Sequence, residues 1–229
     1  GIAGRFHGPA IAKVVRGAAH TGQHVLLQGE TGTGKELAAR GLHDALAAGG
    51  RRGPFGAHNA ARFTGEDDAV TTLFGVVRGA FTGVEPRTGV IEAAAGGTLF
   101  LDEVHNLPAR VQRSLLRFVE DGILERSGAS VRRPVNVRIV CGTNVPVTEA
   151  VQEQRLAHDL VARLHGVGMP PLRERRADVP SLFLHVLRKA IEPKDAAAVA
   201  DRLTVELVER LCVHDYRAGN VRVLEGIAA

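Results

Sequence analysis

Apolar residues fall into two periods along this chain. Short runs of strand character, "VLLQG", "GGTLFLDE" and "VNVRIVCGTN", alternate with stretches in which apolar positions recur every three or four residues. After Lys35 the helical spacing runs through Leu37, Ala38, Leu42 and Leu46; in "PARVQRSLLRFVEDG" it runs through Val111, Leu115, Phe118 and Val119. Pro108 suits the first turn of that second helix and Gly122 its end. The alternation predicts parallel strands near residues 25–28, 55–59, 98–101, 136–142 and 166–169, hence an α/β fold with a doubly wound, five-stranded parallel sheet. "ILERSGASVRRPV" reads as a hairpin turning at Ser127-Gly128-Ala129. From Pro170 onward strand character is lost, and "SLFLHVLRKAI" and "TVELVERLC" read as amphipathic helices of a small lid. The expected division is an α/β nucleotide-binding domain over residues 1–168 and a helical lid domain over 169–229.

Composition narrows the setting more than the chemistry. A chain of 229 residues buries a sizeable core, no apolar run spans a bilayer, and "GIAGRFHGPA" lacks the order of a signal peptide, so a cytoplasmic protein without membrane contact is expected. Cys141 lies in the apolar "VRIVCGTN" far from Cys212, which predicts a buried free thiol and a reducing compartment. The net charge of +4 comes from scattered arginines and fits a solvated surface as well as a nucleic-acid face. His20 and His24 are spaced i, i+4 but straddle Thr21-Gly22 ahead of a strand, so they share no helix face and a zinc site is not expected. The chain opens on Gly1 and stops nine residues past Asn220, which reads as an excised domain; DNA contact is expected only through a domain absent from it.

Three strand ends carry polar chemistry. The first runs into "GETGTGKE", where Gly29, Gly32 and Gly34 let backbone N–H groups turn toward phosphate oxygens, a helix start adds its positive dipole end, and Lys35 reaches the β- and γ-phosphates. Glu30, Thr31, Thr33 and Glu36 complete the candidate ATP-binding stretch. The second ends in Asp102, suited to hold Mg²⁺ through water, and Glu103, suited to take a proton from the attacking water. The third ends in Thr143 and Asn144, polar groups able to orient water beside the γ-phosphate. Together they indicate an ATPase. "DEVH" also spells a helicase motif, but helicases of that kind need a hydroxyl after the loop lysine and a second domain of similar size; this chain has Glu36 and too few residues.

The chain resembles the AAA+ ATPase domain, a P-loop NTPase fold, of bacterial enhancer-binding activators that remodel RNA polymerase holding sigma-54. The specific stretch is "LFGVVRGAFTGV", Leu73 to Val84, similar to that family's "ELFGHxxGAFTGA" loop; "GETGTGKELAARGLH", "GGTLFLDE", "GTN", "RLHGVGMPPLRERRADVP" and "YRAGNVRVLE" extend the likeness nearly end to end. The resemblance implies that Gly79, Ala80, Phe81, Thr82 and Gly83 contact sigma-54, with Phe81 and Thr82 at the tip. It implies that Asn59 holds Glu103 in check, that Arg222 senses nucleotide from the lid, and that Glu36 is the family's residue after the lysine. A homo-oligomeric ring, hexamer or heptamer, is implied as well.

Departures from the pattern are informative. Where the family writes "FRxDLYYRL", with two arginines that reach a neighbour's ATP, this chain has "LAHDLVARL": Arg163 is kept and Ala157 replaces the first arginine. An arginine finger contributes roughly 10³ to 10⁵ in rate, so weakened hydrolysis is expected, with Arg155 two residues upstream as a substitute donor. Val84 in place of alanine and His105 after the acidic pair depart further. The competing reading is a nucleotide-locked scaffold, or pseudo-ATPase, of the same fold that does not activate sigma-54.

Overall fold

The computed structural model describes Ala12, Val15, Gly17, Ala18 and residues 21–78, 85–129, 131–190 and 204–228. Strands β1 (Val25–Gln28), β2 (Phe55–Asn59), β5 (Thr98–Asp102), β8 (Arg138–Thr143) and β9 (His165–Gly168) form one sheet in the order β2-β5-β8-β1-β9. Every pairing in it is parallel. The chain leaves β1 for the far edge, fills inward through β5 and β8, and then adds β9 on the other side of β1. That reversal opens a crevice at the carboxyl ends of the central strands, where open α/β sheets bind ligands.

The expected strands are present with shifted ends. The fourth begins at Arg138 rather than residue 136, because the Asn136 carbonyl accepts the Gly96 N–H at 2.7 Å and its side chain accepts from Arg51, which holds it outside the ladder. The last begins at His165, opposite Val25. Helices on both faces bury β8 at every position. Within it Cys141 is a free thiol pushed up to about 12 by burial. Arg138, also buried, donates to the Ala18 carbonyl, and burial pushes it down to about 10. His24, just ahead of β1, accepts the Ile139 N–H on Nδ1 and is held neutral, pushed down to about 4 by burial and by Arg138; His20 lies outside the described residues.

Helix α1 (Lys35–Ala48) buries Lys35, Ala38, Ala39 and Leu42. Leu37, expected on that face, is 55% exposed, since one helical step of about 100° carries it off the stripe. Helices α2 (Glu66–Phe74), α3 (Val90–Ala93) and α4 (Ala109–Asp121) follow. Pro108 sits at the N-cap of α4, one residue before the expected first turn, and Gly122 closes it at φ 69. Ile91, Leu99, Val111, Leu115 and Phe118 share one core on that side of the sheet; Leu27, Leu42, Phe100 and Val140 share another across it.

Two short antiparallel pairs stand off the main sheet: β3 (Gly75–Val76) with β4 (Arg87–Thr88), and β6 (Ile123–Glu125) with β7 (Arg132–Pro134), the expected hairpin. A bridge joins them, with Val77 N–H donating to the Ser127 carbonyl and Ser127 N–H to that of Gly75. Short helices α5 (Val147–Gln152) and α6 (His158–Ala162) precede β9. Helices α7 (Val179–Ala190), α8 (Val205–Val213) and α9 (Val221–Ala228) enclose a third core of Leu172, Phe183, Leu211, Tyr216 and Leu224. Among the described residues no helix is long and apolar enough to cross a membrane.

Candidate nucleotide site

The loop after β1 is shaped by where its carbonyls go. Lys35 Nζ donates to the carbonyls of Gly29 at 2.7 Å and Glu30 at 3.3 Å. Asn220 Nδ2 donates to the Thr31 carbonyl, Val221 N–H to that of Gly32, and Arg175 Nη2 to that of Thr33. All five carbonyls from Gly29 to Thr33 are thus held, the first two by Lys35 and the last three by Asn220, Val221 and Arg175, and the loop keeps its remaining N–H donors for an anion. Gly32 at φ 78 and Gly34 at φ 95 adopt the left-handed region that permits this path.

Lys35 is only 6% exposed, and burial lowers its pKa, while Asp102 and Glu103 support its charge and Arg222 opposes it. Lys35 is thus within the fields of the acidic pair and of the C-terminal arginine, which two other elements bring to it. Gly142 on β8 makes room for the acid: a Cβ there would stand 2.4 Å from Asp102 Oδ1. That oxygen accepts the Glu103 N–H at 3.0 Å. Glu103 itself sits at φ 54, ψ 42, a left-handed conformation costing about 1–2 kcal/mol for such a residue. Strain of this kind gathers where a side chain must be aimed.

The other expected residues are placed unevenly. Asn59 pairs in register with Asp102, but its Oδ1 accepts the Ala61 N–H at 2.8 Å, and the bond to the Glu103 carboxylate comes from Asn106 at 3.4 Å. Thr143, expected to orient water, is fully buried; its hydroxyl lies 3.1 Å from His105 Nδ1 and donates to the Val145 carbonyl. Asn144 does meet the loop, donating to Thr31 Oγ1 at 3.2 Å. Burial first, and then Arg155, lowers the His105 pKa, so a neutral imidazole lies behind the acidic pair. The Glu36 carboxylate turns to solvent and pairs with Arg40 at 2.9 Å, one helical turn on; only its backbone belongs to the loop. Glu30 likewise points away, toward Arg173 and Asn220. Gly79, Ala80, Phe81, Thr82, Gly83 and Val84 lie outside the described residues.

The segment compared with the arginine fingers lies on the surface. Arg163 pairs with Glu120 at 2.9 Å, and Arg155 with Glu153 at 2.7 Å and Glu149 at 3.6 Å. Ala157 starts α6, its N–H bonded to Gln112 Oε1 at 2.8 Å. Gln112 was not singled out by its sequence context, although it is buried and its Nε2 also donates to the carbonyls of Leu107 and Arg155, both at 2.8 Å. It thus ties the segment after Glu103 to the one carrying Arg155. Arg173, Arg175 and Asn220 were missed for a similar reason: "RERR" reads as solvated charge, and burial of one arginine among three has no periodic signature.

Comparison with known proteins gives the chain's family and fold. Residues 7–169 match the model of the sigma-54 interaction domain. The transcriptional regulatory protein XylR of Pseudomonas putida is 42% identical over 227 residues, covering 96% of this chain and 39% of that protein. The DNA-binding transcriptional regulator NtrC of a Bradyrhizobium species is 40% identical, with 96% and 46% covered. The chain therefore spans less than half the length of these relatives. Crystal structures of NtrX from Brucella abortus superpose with a TM-score of 0.82 at 30% identity, covering 99% of this chain and 50% of that one, and in complex with ATP with 0.79 at 31%, covering 98% and 50%.

Proposed function

Because the chain belongs to the sigma-54 interaction domain family, we propose that it is the ATP-driven module of a transcription activator acting on sigma-54 RNA polymerase. The observation that carries this reading is a loop whose five carbonyls are all taken by donors of the same chain, with the buried Lys35 closing it under the electrostatic support of Asp102 and Glu103. The loop N–H groups and Lys35 bind the triphosphate; Glu103, aimed by its strained backbone, takes the proton from water. Asp102 fits a magnesium ion held through water, since the missing Cβ of Gly142 leaves its carboxylate room. When bound, that ion neutralises charge on the β- and γ-phosphates. Asn144 stays beside the phosphates, and Arg222 reports from the C-terminal helix; Asn59, beside Asp102 in the sheet, would have to leave Ala61 to hold Glu103 in check, and Thr143 acts only through His105.

The finer parts of the reading concern assembly. The module works as a homo-oligomeric ring in which Arg163 leaves Glu120 to reach a neighbour's nucleotide, and residues Gly79–Gly83 pass the change to sigma-54. With Ala157 in place of an arginine, turnover is weakened. DNA is held by a domain outside this chain, in the cytoplasm. The pseudo-ATPase alternative draws on one observation, that Arg155 and Arg163 are both paired with glutamates of their own chain.

Steady-state phosphate release with and without Glu103→Gln tests the reading. The variant should hold ATP and lose about 10² to 10⁴ of turnover, while Phe81→Ala keeps turnover and loses retention of sigma-54. Hydrolysis by Glu103→Gln at the parent rate would require another base.

A further inference from the structure

Phosphate binding leaves one residue of the loop unexplained. An anionic side chain directly after the first glycine opposes a polyanionic ligand, yet Glu30 stands there. Its carboxylate is not left facing the ligand: Arg173 grips both oxygens in a two-pronged pair, Nη1 to Oε2 at 2.8 Å and Nη2 to Oε1 at 2.6 Å. Asn220 Nδ2 adds a bond to Oε2 at 3.1 Å. The pairing lowers the Glu30 pKa and raises that of Arg173, so both remain charged across the physiological range.

Around this carboxylate three separate segments converge. Asn220 is fully buried at φ 52, and its Oδ1 accepts the Leu172 N–H at 2.6 Å, so a single side chain joins the loop, the turn after β9 and the start of α9. The approach is close: a Cβ on Gly32 would lie 1.9 Å from the Gly219 carbonyl oxygen. A two-pronged arginine–carboxylate pair fixes orientation as well as distance. Glu30 thus occupies the point at which displacement of α9 must break the Asn220 bond to the phosphate loop, while Arg173 holds the same carboxylate from the turn after β9.

We infer that Glu30 is a positioning residue that latches the C-terminal helical segment onto the phosphate loop through Arg173 and Asn220, and thereby sets how fast nucleotide leaves. The inference rests on the reading of this loop as an ATP site. While the latch is closed, Arg222 and the loop carbonyl contacts stay in place over the nucleotide; release requires the C-terminal segment to swing away, and the pair must open first. Arg173 also offsets the carboxylate's repulsion of the phosphates, so Arg173→Gln leaves that repulsion uncompensated, whereas Glu30→Gln opens the latch and removes the repulsion with it.

Stopped-flow release of a fluorescent ADP analogue from the full chain tests this with Glu30→Gln, Arg173→Gln and the double variant. Each single change should speed release by about tenfold, within the range of coupling between sites, and the double variant should release no faster than either single one. Arg173→Lys, which keeps the charge and loses the fork, should fall between wild type and Arg173→Gln. That graded response is one that general loosening of the fold does not produce. Should Glu30→Gln fail to fold, the Arg173 pair carries the test alone. Wild-type release rates in the single variants, or multiplying effects in the double one, would overturn the latch while leaving the ATP site intact. Failure of the wild-type chain to bind the analogue would overturn the site and the latch with it.

Discussion

The phosphate loop and the Leu156–Leu164 segment both carry charged groups and are built on opposite terms. Every carbonyl from Gly29 to Thr33 has a donor within the same chain, and Lys35 is buried among charges that its own fold supplies. Arg163, by contrast, lies 60% exposed against a single glutamate. Exposed ion pairs of that kind contribute about 0–1 kcal/mol and are readily exchanged. One half of the proposed site is closed within the chain, and the other is free to change partners. A surface that is to act on a neighbour must remain detachable from its own chain, and weak pairing supplies that.

Four changes break or sharpen the contrast. The largest effect is expected from Lys35→Ala, which removes the buried cation from the closed half: ATP affinity by calorimetry should fall by about 100-fold, the scale of roughly 3 kcal/mol for a charge-assisted contact. Next comes Gln112→Leu, which cuts the tie between the two halves and leaves the Ala157 N–H and two carbonyls without their partner. Thermal unfolding should register a loss of about 2 kcal/mol, as for buried groups left unsatisfied. Ala157→Arg adds to the open half alone, so kcat should rise about tenfold, or about 1.4 kcal/mol of barrier, with KM unchanged and only at concentrations where rings form. If Arg155→Ala abolishes activity and Ala157→Arg adds nothing, Arg155 has taken the role, and its pairs with Glu149 and Glu153 are a resting position. Glu36→Ala should do least: ATP affinity within about twofold and stability within about 0.5 kcal/mol, as for one exposed i, i+4 pair.

Much of the closed half was legible because its signals are local. A run of apolar residues, three glycines and a lysine specify strand, turn and helix start within eleven residues, and Asp102-Glu103 follows its strand directly. The directions of side chains were less legible. Glu30 and Glu36 look alike in sequence, yet one turns to Arg173 and the other to Arg40, since the choice depends on a segment some 140 residues away in one case and on one helical turn in the other. Thr143 illustrates a second limit. A polar residue at a strand end reads as a ligand group, but at the end of a fully buried strand its hydroxyl is taken by His105 and Val145. Leu37 shows the converse, an apolar residue left exposed because the sheet-facing stripe is already filled by Ala38, Ala39 and Leu42.

The bridge between β3 and the hairpin has a mechanical consequence. Strand β3 and the residue after it are bonded at Gly75 and Val77 to Ser127, so β3 and the β6–β7 hairpin share one root. Traction passed into β3 is then shared by both of these hydrogen bonds rather than borne by one. The root leads into α4 through β6, so a load applied at β3 reaches Gln112 and the Arg155 segment through bonded structure.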